Sequence, residues 1–266
     1  MTQGIEVRRD GAVMAAAFDR PEKKNAITGA MYEALIETFD EAERDPDVGA
    51  LVLGGNGGVF TAGNDIADFL ALATGAAGSR DMHAAPPWRF ISRLARFEKP
   101  LIAAVQGLAV GVGTTLCFHC DLVYASPDAR FHMPFVNLGL VPEAGSSLLA
   151  PLRFGRARAS EFLLLAEPFD AETARELGLV NALVPNSTLL AHAMSKAAAL
   201  ATKPRSALLT TRRLLRGDPA ALKAQMEEEI EAFAAALASG EARAALKAFM
   251  SGREASGFPA ATFASA

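Results

Sequence analysis

The sequence predicts an α/β fold followed by a helical C-terminal part. Short apolar runs bounded by turn residues alternate with helical spacings as far as Val184. The run Leu101-Ile102-Ala103-Ala104-Val105 carries no charge and follows Lys99-Pro100, which marks a strand buried on both faces. From Ser187 onward the pattern is almost entirely helical. With 266 residues, 51% of them hydrophobic, the chain can bury a large core. It divides into an α/β core over 1–186 and a helical region over 187–266.

Ile5-Glu6-Val7 and Val13 to Phe18 read as strands joined by the turn Arg9-Asp10-Gly11. A polar loop, Asp19 to Ala26, comes next. Thr28 is placed to cap a helix with Met31, Leu35, Ile36 and Phe39 on one face. Ala50 to Leu53 is a buried strand. The bend Gly54 to Gly58 is not a phosphate loop, because no Gly-Lys-Ser/Thr follows it. Ala62-Gly63-Asn64-Asp65 precedes a helix over Ile66–Ala73. Its small residues leave backbone N–H groups free to face a cavity, while Asp65 suits the first turn of that helix. Ala73 to Ala85 reads as a mobile connection, and Pro86 to Phe97 as a helix with Trp88, Ile91 and Leu94 inward.

The stretch Lys99–Ser126 organises the chain. Strand, glycine-rich turn (Gly111-Val112-Gly113) and a buried helix over Thr114–Cys120 put free N–H groups at a helix start. Asp121 to Ala125 is another strand. A helix then opens near Pro142, placing Glu143 in its first turn. Helices over Arg156–Leu165 and Ala171–Leu177 and a strand over Val180–Val184 complete the core. In the tail, Leu222, Met226, Ile230, Phe233 and Leu237 form an apolar stripe that must be buried against the main body or another subunit. Glu227, Glu228, Glu229 and Glu231 read as a solvated face.

Net charge is −4, so nucleic acid is not an expected partner. The start MTQGIEVRRDG lacks the order of a signal peptide, and the end FASA carries no peroxisomal address. Gln106, the glycines and Thr114-Thr115 interrupt the longest apolar stretch, so no membrane span is expected. Two cysteines fit a reducing cytoplasm. Cys117-Phe118-His119-Cys120 lacks a second ligand pair, so it reads as core residues with one satisfied histidine rather than a metal site. Glu143 sits in apolar surroundings. Burial would raise its pKa and a helix terminus would lower it, and sequence does not say which wins.

Three segments, in order and spacing, resemble the enoyl-CoA hydratase/isomerase (crotonase) superfamily: Ala62-Gly63-Asn64-Asp65-Ile66, Lys99–Asp121 and Phe131–Ser147. The similarity runs from about Ile5 to Phe249. It implies a crotonase-like spiral of repeated ββα units with a C-terminal helical trimerisation region, and hence a homotrimer or dimer of trimers. It implies an acyl-CoA thioester as substrate, with no separate cofactor and no metal. The backbone N–H groups of Asn64 and Val112 match the family's oxyanion hole. Lys24, Ala26, Ala62, Gly63, Asn64, Asp65 and Ile66 match its CoA-thioester-binding positions.

The positions of the two hydratase glutamates match Thr115 and Phe135, neither of which can act as a base. Glu143 matches the single catalytic glutamate of the Δ3,Δ2-enoyl-CoA isomerases, and FHMPFVNLGLVPEAGSS is similar to their peroxisomal branch. The resemblance therefore implies a Glu143-mediated 1,3 proton shift. An enoyl-CoA hydratase, another reaction on the same frame, and a non-catalytic acyl-CoA-binding module are the alternatives.

Overall fold

The computed structural model describes residues 4–73 and 81–250. β1 (Ile5–Asp10) and β2 (Val13–Phe18) form an antiparallel hairpin. β3 (Ala50–Gly55), β4 (Leu101–Val105), β6 (Leu122–Ala125) and β9 (Ala182–Leu183) extend it in parallel, in the order β1-β2-β3-β4-β6-β9. Side chains alternate across this sheet. Met14, Leu51, Leu53, Ala103 and Val105 face the main core. Val13, Val52, Ile102, Ala104 and Tyr124 face a second core closed by Leu189, Ala193 and Ala197 of α8 (Asn186–Ala201). Two buried faces explain why β4 has no polar position.

A second sheet was not legible in the sequence. β5 (Leu108–Val110), β7 (Arg130–His132) and β8 (Phe169–Asp170) pair in that order, and Thr61 joins through a parallel bridge to Ala109. Successive turns of chain thus place one strand in the large sheet and the next in the small one, giving a spiral of ββα units. These strands are two or three residues long, too short for an alternating pattern to register.

Thr28 caps α1 (Gly29–Arg44), its hydroxyl accepting the Met31 N–H at 3.3 Å. Met31, Leu35, Ile36 and Phe39 are buried as expected. Lys99 is buried at the other end of that helix. Its ammonium donates to the carbonyls of Ala42, Asp45 and Val48 at 2.6–2.7 Å, filling acceptors that the helix terminus leaves open. α2 (Ile66–Ala73) and α3 (Pro86–Arg96) lie where expected, and Trp88 packs edge-on against Phe233 at 4.9 Å. Of the connection Ala73–Ala85, residues 74–80 lie outside the described residues; Met82–Ala84 forms a 3-10 turn.

The buried helix of the central stretch starts at Val112 rather than Thr114. One α-turn, α4 (Val112–Thr115), tightens into a 3-10 segment over Leu116–His119. α5 (Ser146–Phe154) begins three residues after Glu143, which corrects the expected helix start at Pro142. α6 (Arg156–Ser160), a π-turn over Glu161–Leu165 and α7 (Ala171–Glu176) follow.

The tail folds as α8, α9 (Arg205–Arg216), α10 (Pro219–Leu237) and α11 (Gly240–Met250). The α10 stripe is buried against the main body of its own chain: Met226, Ile230, Phe233 and Leu237 join the main core and Leu222 packs against it. Arg212 ties α9 to the core through Asp121 at 2.7 Å and the Phe97 carbonyl at 2.7 Å.

Candidate active site

One cavity collects most of the residues singled out in the sequence. Its lining includes Lys24, Ala26, Ala62, Gly63, Asn64, Asp65, Ile66, Gly111, Phe135, Glu143 and Phe233. Val112 itself is not on the lining; its side chain is buried, and the neighbouring Gly111 provides the wall.

The loop Lys24–Ile27 is zipped to Ala62–Asp65. Ala62 N–H donates to Lys24 O, Ile27 N–H to Gly63 O, and Asp65 N–H to Ile27 O, all within 2.8–2.9 Å. Lys24 and Asn25 both take left-handed conformations, and buried Asn25 holds the bend by donating to the Val59 and Asn56 carbonyls at 2.7 and 2.9 Å. Asp65 caps α2 through Ala67 N–H at 3.0 Å and pairs with Arg20 at 2.7 Å. Its bonds are those of a structural cap, in a residue that also lines the cavity. Asn25 and Arg20 carry no local sequence signal for this task, because their partners are distant in the chain.

In the bridge between Ile27 and Asn64, Ile27 bonds to the residues on either side of Asn64. The N–H of Asn64 therefore points away from Ile27, and no acceptor is matched to it among the described residues. The Asn64 side chain is held by the buried Tyr32 hydroxyl at 2.5 Å. Val112 is the first residue of α4, so its N–H has no acceptor within the helix, and none outside it among the described residues.

Glycine is required where these walls meet. Gly63 has φ +85°, and a Cβ there would lie 2.7 Å from the Val110 carbonyl oxygen. Gly111 combines φ 56° with ψ −119°, a region closed to side chains.

Glu143 enters the cavity from an irregular turn. Ala144 and Gly145 are both left-handed, at φ 59° and 70°. His119 donates from Nε2 to the Ala144 carbonyl at 2.7 Å. Burial pulls the pKa of His119 down to about 4, so the ring is neutral and serves as that donor. The satisfied-histidine expectation holds, and its partner is the backbone beside Glu143. Cys117 and Cys120 are buried, their thiols pushed up by burial and directed at helix carbonyls.

The Glu143 carboxyl is 3% exposed. One oxygen accepts the Thr115 hydroxyl at 2.5 Å; the other, Oε2, has no partner among the described residues. Burial raises its pKa to about 8, against a lowering by Thr115 and with a smaller raising by the charge of Glu229. The competition left open by the sequence is thus decided by burial, since Glu143 lies before the helix rather than in its first turn. Thr115 proves to be a partner of Glu143, and buried Phe135 covers part of the wall. Glu229 corrects the solvated acidic face: it is 5% exposed and bonded to the start of α5. A helical stripe that places 226, 230 and 233 inward also turns 229 inward, and that was the available signal.

This is an α/β spiral in which a buried carboxyl oxygen and the Asn64 N–H, neither with a partner among the described residues, belong to residues lining one cavity, with the Val112 N–H next to its Gly111 wall. The chain belongs to the enoyl-CoA hydratase/isomerase family, whose model matches residues 8–256. It is 35% identical over 250 residues to enoyl-CoA delta isomerase 2 of Rattus norvegicus, covering 94% of this chain and 64% of that one. It is 32% identical over 248 residues to 2,3-dehydroadipyl-CoA hydratase of Escherichia coli, covering 93% and 95%. Among solved structures, Pseudomonas aeruginosa OdaA superposes with a TM-score of 0.88 at 42% identity, covering 93% of this chain and 99% of that one. The chain spans just under two thirds of the length of the rat relative. No described helix is long and apolar enough to cross a membrane.

Proposed function

We propose that the chain isomerises 3-enoyl-CoA to 2-enoyl-CoA, with Glu143 moving one proton from C2 to C4. The observation that carries this is the Glu143 carboxyl: buried, pKa about 8, in a residue that lines the cavity, with Oε2 unpartnered among the described residues. Among the described lining residues it is the one buried carboxyl. A carboxyl whose pKa lies near the working pH can take the proton as the carboxylate and give it back as the acid.

The Asn64 and Val112 N–H groups, which have no acceptor among the described residues, are assigned to the thioester oxygen of the dienolate. Fixed donors of this kind contribute about 10²–10³ in rate each. Lys24, Ala26 and the Ala62–Ile66 segment are assigned to the CoA thioester side, and Phe69, Phe233 and Leu246 to the acyl side. Proton transfer between carbons needs no redox group, so coenzyme A enters only as part of the substrate.

Hydration is disfavoured by Thr115 and Phe135. A second carboxylate is needed to hold and activate water, and an aromatic ring at Phe135 excludes it. For the assembly we propose a homotrimer or dimer of trimers. Exposed Leu152, Leu164, Leu165, Leu214 and Leu215 offer the apolar surface to bury.

Glu143→Gln tests the assignment on trans-3-hexenoyl-CoA. Turnover is expected to fall at least about 10³-fold while acyl-CoA binding persists. Retention of most turnover overturns it. Fast water addition to crotonyl-CoA by the unaltered protein would restore the hydratase alternative.

A further inference from the structure

We propose that Glu229, on α10, is a positioning residue for Glu143, clamping the turn from which the Glu143 carboxyl enters the cavity. The inference rests on the isomerase function proposed above.

The clamp is built from three bonds. Glu229 Oε2 accepts the Gly145 N–H at 2.6 Å. Oε1 accepts the Ser147 N–H at 2.9 Å and the Ser147 hydroxyl at 2.5 Å. Gly145 is the N-cap of α5 and has no side chain to satisfy the helix's first N–H groups. Glu229 supplies that acceptor from 84 residues away. All three donors favour the ionised form of Glu229, against burial, which raises its pKa above the ordinary carboxylate range.

The clamped segment is the strained one. Ala144 sits at φ 59°, a conformation disfavoured for a side chain, and the next residue repeats the hand. Such a turn persists only if its surroundings hold it. His119 holds the Ala144 carbonyl, the Ser146 hydroxyl donates to the Glu143 carbonyl at 2.6 Å, and Glu229 holds the far end. α10 also closes on the turn: a Cβ at Gly145 would lie 2.4 Å from Leu222 Cδ1.

Glu143 itself is bonded through its carboxyl to Thr115 alone among the described residues, so the turn sets where Oε2 points. The groups facing Glu143 are Thr115 on α4, Tyr32 on α1 and Glu229 on α10; Glu228 lies beside Glu229 on its own helix. Glu229 is the charged one among those three, and its negative charge disfavours ionisation of Glu143.

The test uses the full chain carrying Glu229→Ala or Glu229→Gln, with trans-3-hexenoyl-CoA. In Glu229→Ala, kcat should fall about 10²-fold with KM within about threefold, as a displaced base predicts. Glu229→Gln keeps an oxygen for Ser147 and should recover part of kcat. Because it removes the like charge, the pH midpoint of kcat/KM should move to lower pH. A helix cap without a positioning role would change thermal stability and, through its charge, that midpoint, but not the kcat reached above the midpoint. Folded variants whose kcat above the midpoint is unaltered therefore overturn the proposal, whatever the midpoint does, and Glu229→Gln alone decides if the alanine variant does not fold. If the unaltered protein turns over no 3-enoyl-CoA, the proposed function fails separately. A crystal structure of either variant then decides the clamp, and an unmoved Glu143 overturns it.

Discussion

The Thr115 hydroxyl stands 2.5 Å from one oxygen of Glu143 and leaves the other oxygen without a described partner. A short buried helix therefore orients the base while a separate turn presents it. Thr115 favours the ionised form of Glu143, and burial opposes it more strongly.

Removing that hydroxyl should make the base harder to ionise. In Thr115→Val the Glu143 pKa rises further, so the midpoint of kcat/KM against pH moves to higher pH. At pH 7 kcat/KM should fall about tenfold, on the scale of one pKa unit. The pH–rate profiles of the two proteins check this.

In the unaltered protein, activity should increase with pH through about 8, because the base acts as the carboxylate. Stability runs the other way. The folded pKa of Glu143 lies above the unfolded value of about 4.3, so the folded state binds the extra proton between these values. Its contribution is fully present below about pH 4 and is lost as pH rises through about 8. Glu143→Gln should therefore stabilise the fold most above pH 8, by on the order of a few kcal/mol, and raise the melting temperature there, while abolishing turnover. Thermal melts at pH 6 and pH 9 read the difference.

Gly63 carries both a positive φ and a 2.7 Å Cβ approach to the Val110 carbonyl. Gly63→Ala must move the Ala62–Asn64 segment against β5. The expected cost is roughly 1–3 kcal/mol in stability, with kcat falling more than KM rises. Denaturant unfolding and steady-state kinetics separate the two effects.

Phe233 lines the cavity at the part assigned above to the acyl chain, with Phe69 at 5.9 Å and Trp88 at 4.9 Å between ring centres. Phe233→Ala should shift the kcat/KM optimum toward longer or branched acyl chains. It should also destabilise the fold by about 3–5 kcal/mol, since the ring is 1% exposed. A substrate series of increasing chain length measures the shift; an unchanged optimum would assign the acyl end elsewhere.

Much of the fold was legible because its elements are local and strongly patterned. The β4 run, the Thr28 cap and the α10 stripe each declare themselves within about sixteen residues. The small sheet did not, because β5, β7 and β8 are defined by pairing between spiral turns rather than by their own side chains. The start of α5 was misplaced by four residues because Pro142 looks like a helix opening. Two left-handed residues instead delay it, and their partners, His119 and Glu229, lie far away in the chain.

The sequence by itself determined an α/β part with a helical tail, and its resemblance implied the spiral and the family to which the chain belongs. It also brought forward the cavity residues Ala62–Ile66 and Glu143, since residue type and order carry those facts. Only the tertiary structure decided the state of Glu143: buried, bonded to Thr115, raised to about 8 and held from behind by Glu229. Ionisation and aim depend on dielectric surroundings and on distances between segments that never meet along the chain, and those exist only once it is folded.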